Sequence, residues 1–264
     1  MRLLIRTRGN KTGTCNICGE HGKLTEDHSP PKCCVKPTAV KIRHIIDMLA
    51  DEKIPEKGRI SQNGVKFRTL CGRCNNQLLG QEYDPALAEF TNQCDALLNS
   101  SLRLPRSMEI DGNAKLIGRA VFGHLAAQGV DRFSEAEPWL ELRDWFLDTE
   151  LKFPEGIRIY YWVYPHHGCV IFRDAAIADI TIQKTAAIWL LKFYPLSFMI
   201  SWEKTESQMF NLPILPVNND GVTQLPIQIR GIPHRYWPEA PTDDTIIAYG
   251  QEAMFSVSHE AGKK

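Results

Sequence analysis

The chain has 264 residues, of which 43% are hydrophobic and 23% are charged, a balance typical of a globular protein with a sizeable core. Its net charge is zero, which excludes a uniformly basic nucleic-acid-binding coat. The charge is uneven, since residues 1–84 carry 15 Lys or Arg against 9 Asp or Glu, and residues 85–264 carry 16 against 22. The net positive charge of residues 1–84 suits a polyanionic ligand. The first residues contain no apolar core of signal-peptide length, and no run in the chain approaches about 18 apolar residues, so we expect a soluble, cytoplasmic protein with no membrane partner.

The first hundred residues predict short elements of both kinds. Thr38–Asp51 carries Val40, Ile45, Ile46 and Leu49 as an apolar stripe, which predicts an amphipathic helix. The other elements expected here are extended segments at Leu3–Thr7, Lys23–His28 and Val65–Leu70, a hairpin turn at Asn63-Gly64, and helices at about Cys74–Gly80 and Asp84–Leu98.

Residues 99–107 are largely polar and contain Pro105, and we interpret them as a linker between two domains. Beyond them, helices are expected at Ala114–Gln128 and Pro138–Asp148, while Trp189–Phe198 fits either a strand or a buried helix. The expected strands are aromatic and β-branched segments separated by turns: Ile157–Tyr164, Cys169–Arg173, Ile177–Thr185, Ile188–Tyr194 and Ser197–Glu203. Residues 108–264 are therefore predicted to form an α+β domain with an antiparallel sheet.

Eight cysteines in an intracellular chain of this size indicate metal ligands or free thiols rather than a disulfide scaffold. Two Cys-x-x-Cys turns can deliver four thiolates to one structural Zn²⁺, two at a time. The predicted zinc ligands are Cys15, Cys18, Cys71 and Cys74. The adjacent pair Cys33-Cys34, five residues beyond His28, leaves an alternative zinc ligand set open.

The residues bracketed by the two cysteine pairs suggest a second site. We call the two Cys-x-x-Cys turns, Cys15–Cys18 and Cys71–Cys74, the first and second knuckle. Asp27 precedes His28, and Asn75 directly follows Cys74 of the second knuckle. Carboxylate and amide oxygens suit a hard cation such as Mg²⁺. Histidine, with an ordinary pKa of about 6.5, is mostly neutral at physiological pH and can deprotonate a water. Together these groups could hydrolyse a phosphodiester bond.

This order of motifs resembles the zinc-containing branch of the HNH, or ββα-metal, endonucleases, and the similarity covers residues 15 to about 85. The segment Leu24–Lys32 is especially similar to bacterial HNH proteins. The resemblance implies two antiparallel strands and one helix that form the site, with zinc as a structural staple. It implies that His28 is the general base and that Asp27 and Asn75 ligate the catalytic Mg²⁺ or Mn²⁺.

Two departures from the family pattern accompany the resemblance. The gap between the knuckles is 52 residues, longer than in compact members, and the predicted helix at 38–51 fills it. The asparagine that gives the family name HNH its N has no secure match in this chain, and Asn63 is our candidate for that position. The residues expected to contact nucleic-acid phosphates are basic and lie near these motifs: Lys32, Lys36, Lys41, Arg43, Arg68 and Arg73.

The sequence thus predicts an HNH endonuclease module at residues 1–98, a linker at 99–107 and an α+β domain of unknown role at 108–264. The expected substrate is DNA, in a setting such as bacterial defence or restriction, and the second domain is a candidate surface for self-association or a partner protein. The alternative is a non-catalytic zinc module that binds nucleic acid or protein. A divalent-dependent nicking assay separates the two.

Overall fold

The computed structural model describes residues 5–49, 58–203, 209–250 and 252–259, and three antiparallel sheets organise them. The fold is therefore mixed α+β with antiparallel sheets, as predicted. The strands are β1 (Thr12–Thr14), β2 (His21–Ser29), β3 (Val40–His44), β4 (Arg59–Ser61), β5 (Val65–Cys71), β6 (Ser107–Gly112), β7 (Ile157–Val163), β8 (Cys169–Asp179), β9 (Lys184–Phe193), β10 (Leu196–Glu203), β11 (Thr223–Gln228), β12 (Thr245–Ala248) and β13 (Met254–Ser258).

The helices lie between these strands. A π-helix covers Arg73–Tyr83, and the α-helices are α1 (Ile45–Leu49), α2 (Asp84–Leu98), α3 (Ala114–Ala126) and α4 (Trp139–Leu147). The sequence correctly predicts the start of α2, where Pro85 occupies the first turn. The predicted break after Gly80 is wrong, because the π-helix runs directly into α2. Within the described residues, no helix combines the length and apolar character needed to span a bilayer.

The first sheet carries the motifs. It has the order β1-β2-β5, and the register of the β2–β5 pair sets His28 opposite Lys66 and Leu24 opposite Cys71. A bulge interrupts this pairing between Thr25 and Glu26. Because β5 leads into the π-helix, two antiparallel strands are followed directly by a helix.

The largest sheet has the order β4-β3-β13-β8-β9-β10-β7, with β12 also paired to β8. Its central strands are buried on both faces, so adjacent residues enter different hydrophobic clusters. In β9, Trp189 and Leu191 join the cluster beneath α3, whereas Ile188 and Leu190 join the cluster on the opposite face. The strand interpretation of this stretch is therefore confirmed, and the buried-helix alternative is wrong.

The predicted helix at Thr38–Asp51 is wrong for most of its length. Its first part is β3, which pairs with β13 and β4, and only Ile45–Leu49 is helical. Residues 50–51 lie outside the described part. Ile42 and His44 are buried and alternate with half-buried neighbours, so tertiary pairing imposes a two-residue period on a sequence with helical spacing.

Two further local predictions fail for related reasons. The turn at Asn63-Gly64 does not join β4 to β5 as a hairpin, because β4 pairs with β3 instead. The edge strand expected at Leu3–Thr7 is not formed by residues 5–7, and residues 1–4 lie outside the described part.

Residues 99–107, the predicted linker, form a mostly exposed stretch that runs from the end of α2 to Ser107, the first residue of β6. Hydrophobic side chains from before and after this stretch nevertheless pack together. One hydrophobic cluster extends from Cys15 to Met254, and β3 pairs with β13. The predicted boundary therefore separates two stretches of sequence that share one core.

Candidate functional site

The four knuckle cysteines lie together. Their Sγ atoms are all within 4.8 Å of one another, and the Sγ atoms of Cys18 and Cys71 are 3.7 Å apart. A tetrahedral zinc site with Zn–S bonds of about 2.3 Å requires sulfur–sulfur distances of about 3.8 Å. The four side chains are thus close enough to bind a metal ion, consistent with the predicted structural zinc. Within the described residues this metal-sized cluster does not include Cys33 or Cys34.

Backbone hydrogen bonds close the turn of the first knuckle. The amide of Cys15 donates to the carbonyl of Glu20 at 3.0 Å, and the amide of Gly19 donates back to the carbonyl of Cys15 at 3.0 Å. Gly19 has a φ of +77°, and a Cβ there would lie 2.5 Å from the Phe133 ring, so the turn requires glycine.

The sulfur atoms are also held electrostatically. The amide of Cys71 donates to Sγ of Cys15 at 3.3 Å, and the amide of Cys74 donates to Sγ of Cys71 at 3.5 Å. Hydrogen bonds from the thiols of Cys15 and Cys18 hold the pKa of Cys71 well below that of an ordinary thiol. Cys71 therefore favours the thiolate form, which is the form that ligates zinc, whereas the hydrogen bonds within the cluster raise the pKa of Cys74.

The zinc site is anchored to the second half of the chain. The side-chain amide of Asn16, which is fully buried, donates to the carbonyls of Ala126 at 3.1 Å and Gly129 at 2.8 Å. The hydroxyl of Thr69, just before the second knuckle, donates to the carbonyl of Ala127 at 2.6 Å. These three hydrogen bonds engage carbonyls at and just beyond the C-terminal end of α3, where intrahelical donors run out.

His28, the predicted base, lies near the end of β2 and lines a cavity of about 290 Å³. The cavity also contacts Cys34, Thr91, His167 and Tyr194. The Nε2 atom of His28 is buried, and it has no hydrogen-bond partner among the described residues. Burial, together with the nearby Lys66 charge, lowers the pKa of His28 below 6.5. The imidazole is therefore neutral at neutral pH and has a nitrogen available to accept a proton.

Asp27, the predicted metal ligand next to His28, points to the other side of the strand. It pairs with Phe67 in the register, whereas His28 pairs with Lys66, and adjacent strand residues face opposite sides. Its carboxylate is only 5% exposed and lies 2.9 Å from Nδ1 of His124, through Oδ2. Burial raises the pKa of Asp27, although His124 opposes this effect.

His124 is a site residue that sequence analysis missed. Its Nδ1 contacts Asp27, and its Nε2 lies 2.9 Å from Oδ1 of Asp84, so the ring bridges two carboxylates. Burial alone would lower the pKa of His124, but the two carboxylates raise it well above 6.5. Both ring nitrogens can donate at once only in the protonated imidazolium form. A single histidine within the apolar run of α3 was a visible signal, but its partners lie far away in sequence.

Asn75 lies in the first turn of the π-helix and is buried. Its side-chain amide donates to the hydroxyl of Thr25 at 2.9 Å, and Thr25 in turn donates to the carbonyl of Leu70 at 3.0 Å. Asn75 is thereby joined to the strand that carries His28. Asn63, in contrast, is exposed in the turn before β5, and no described contact links it to His28.

The predicted phosphate-binding residues fall into three groups. Lys32, Lys36 and Arg73 are exposed, and Lys36 lines the His28 cavity. Arg68 is engaged with Glu26 at 2.7 Å, beside a second pair between Lys66 and Glu26 at 3.2 Å. Lys41 and Arg43 are half-buried on β3.

No protein-family model, curated protein or solved structure matches this chain. What the site can do follows from its chemistry. It combines a thiolate cluster suited to a structural metal, a neutral histidine at a cavity, and oxygen-bearing side chains next to it in sequence or hydrogen-bonded to its strand.

Proposed function

We propose that the protein is a metal-dependent endonuclease of the HNH type, which hydrolyses phosphodiester bonds in DNA. The observation that carries this proposal is the position of His28. It lies on a strand paired with the strand that enters the second cysteine knuckle, it lines a cavity, and its buried Nε2 has no hydrogen-bond partner among the described residues.

His28 is assigned the role of general base. Its pKa is lowered by burial, so the imidazole is ready to accept a proton from water at neutral pH. In this proposal, the cavity lined by His28 admits the water and the edge of the substrate. Deprotonated water then attacks the phosphorus, and the departing alkoxide leaves on the opposite side.

The proposal implies Mg²⁺ or Mn²⁺, and the donor set is chemically suitable. The contact with His124 uses Oδ2 of Asp27, and the bond to Thr25 uses the amide nitrogen of Asn75, which leaves Oδ1 of each side chain outside these contacts. Two hard oxygen donors fit a cation that otherwise keeps water and substrate phosphate. Such a cation would neutralise phosphate charge.

The substrate assignment rests on charge and shape. The exposed Lys32 and Lys36 follow His28 in the chain, and phosphate contacts of this kind supply affinity without sequence information. We therefore expect recognition of DNA backbone and shape rather than of base edges. The biological setting proposed for this activity is defence against foreign DNA.

A second candidate function is a zinc module that binds nucleic acid without cutting it. The burial of Asp27 against His124 favours this alternative, because it restricts access to one of the two proposed ligands of the catalytic metal. The two functions differ in one observable, which is divalent-dependent cleavage.

The test is plasmid nicking by the full chain with Mg²⁺ or Mn²⁺, comparing wild type, His28→Ala and His167→Ala. His167 lines the same cavity, so it controls for simple enlargement of that cavity. General-base catalysis is worth about 10²–10⁴-fold, and we expect a loss of this size for His28→Ala only. Equal cleavage by His28→Ala and wild type, or DNA binding without any cleavage, would overturn the proposal.

A further inference from the structure

Cys33 and Cys34 form a pair of adjacent thiols in the turn after β2. Their Sγ atoms are 3.7 Å apart, and the turn is closed by the amides of Cys34 and Val35, which both donate to the carbonyl of Pro31 at 3.0 Å. Cys33 is exposed and lies against the carbonyl of Asp84, whereas Cys34 is half-buried and accepts a hydrogen bond from the Thr91 hydroxyl at 3.6 Å.

This pair differs from the other six cysteines. Four of them form the metal-sized cluster. The remaining two, Cys94 and Cys169, are buried, and burial raises the pKa of each thiol to about 12. Cys33 is the one exposed thiol among all eight, and a hydrogen bond from Cys34 lowers its pKa. Exposure, thiolate character and a neighbouring thiol are the features of cysteines that react with peroxides.

We propose that Cys33 and Cys34 form a peroxide-reactive dithiol, in which Cys33 is oxidised first and Cys34 resolves it. The Cys33 sulfur attacks one oxygen of hydrogen peroxide, the O–O bond breaks, and the products are a sulfenic acid on Cys33 and one water. The Cys34 sulfur then attacks the Cys33 sulfur, the S–OH bond breaks, and a second water leaves. The net reaction converts two thiols and one peroxide into one disulfide and two waters.

The position of Cys34 connects this reaction to the cavity. Cys34 lines the same cavity as His28, and Thr91, which donates to its sulfur, lines it as well. A disulfide draws the two Sγ atoms from 3.7 Å to about 2.05 Å apart, and so moves the Cys34 sulfur within this wall. This consequence for cleavage rests on the proposed nuclease function, whereas the oxidation itself does not.

The experiment treats the zinc-loaded full chain with hydrogen peroxide and follows intact mass, peptide maps and zinc release. We expect the loss of two hydrogens, a peptide containing a Cys33–Cys34 disulfide, reversal by dithiothreitol and no zinc release at that stage. Cys33→Ser should lose this reaction. Cys34→Ser should stop at a sulfenic acid that dimedone traps.

Cys94→Ser is the matched control and should react as wild type does. Oxidation that starts at the knuckle cysteines with zinc release, or an equal reaction in Cys33→Ser, would overturn the proposal. Cleavage assays add a separate readout, in which oxidised wild type slows and Cys33→Ser does not. A protein that forms the disulfide but cuts no DNA would refute the proposed function and leave the dithiol in place.

Discussion

Oδ2 of Asp27 and Nδ1 of His124 lie 2.9 Å apart, although the two residues are separated by 97 positions in the chain. This contact joins the residue before the proposed base to helix α3, and the other ring nitrogen of His124 reaches Asp84 at the start of α2. One imidazole therefore holds three elements in a fixed arrangement. In the proposed enzyme, His124 is a positioning residue for the carboxylate of Asp27.

Replacing His124 should destabilise the whole protein. His124→Gln keeps a polar side chain of similar reach but removes the cation, which leaves the buried Asp27 carboxylate without its partner. Breaking a buried pair in this way costs about 3–5 kcal/mol in free energy of unfolding. Urea denaturation measures the change, and His21→Gln, at an exposed position of β2, is the control. Equal unfolding free energies for wild type and His124→Gln would contradict the assigned contacts.

The contribution of His124 to stability should depend on pH. Its pKa in the folded state is raised above the unfolded value of about 6.5. The folded protein then binds the proton more tightly, so the contribution is complete below about pH 6.5 and declines as pH rises through the folded pKa. The difference in unfolding free energy between wild type and His124→Gln should therefore shrink as pH rises above about 6.5. A difference that grows with pH would show that the ring is not a cation in the folded state.

The zinc assignment predicts distinct outcomes for different cysteines. Protein purified without added zinc should contain about one zinc per chain, and Cys71→Ser should lose zinc and unfold together, because zinc binding is coupled to folding. Cys33→Ser should retain zinc, since Cys33 is outside the cluster. Metal analysis and circular dichroism measure both effects. Zinc loss in Cys33→Ser would restore the alternative ligand set.

Cleavage should have an acid limb that reports His28. Burial lowers the pKa of this residue, so the rate should rise with pH through a value below 6.5 and then level off. His28→Ala should lack this limb and retain only a slow background rate. To resolve this limb, cleavage rates are measured from about pH 4.5 to 8 at intervals of about 0.5 pH units, with a saturating concentration of the divalent cation. A limb that persists unchanged in His28→Ala would assign the titration to another group.

Proteolysis at residues 99–107 should nick the chain without separating its halves. The stretch is mostly exposed, but β3 pairs with β13 and the hydrophobic core is shared across the cut. We expect the two fragments to co-elute in size-exclusion chromatography and to separate only in denaturant. Release of a folded fragment 1–98 that still cuts DNA would instead favour independent domains.

Some of this structure could be predicted from the sequence because its signals are local. The cysteine spacing predicts the metal cluster, and the Asp-Pro pair predicts the start of α2. The strand β3 and the partner of Asp27 could not be predicted, because each depends on a segment distant in the chain. Ile42 is buried through pairing with β13, and His124 acquires its charge only between two carboxylates from elsewhere.

The pairing of β3 with β13 also constrains when the protein can fold. Met254 is the register partner of His44, so β3 and β4 join the rest of the large sheet through residues 254–258. During synthesis, the ribosome releases the cysteine knuckles and His28 long before residues 254–258 emerge. The nascent front half therefore lacks the β13 partner of β3 until residues 254–258 have been made, and a pairing of such long sequence separation is expected to form slowly.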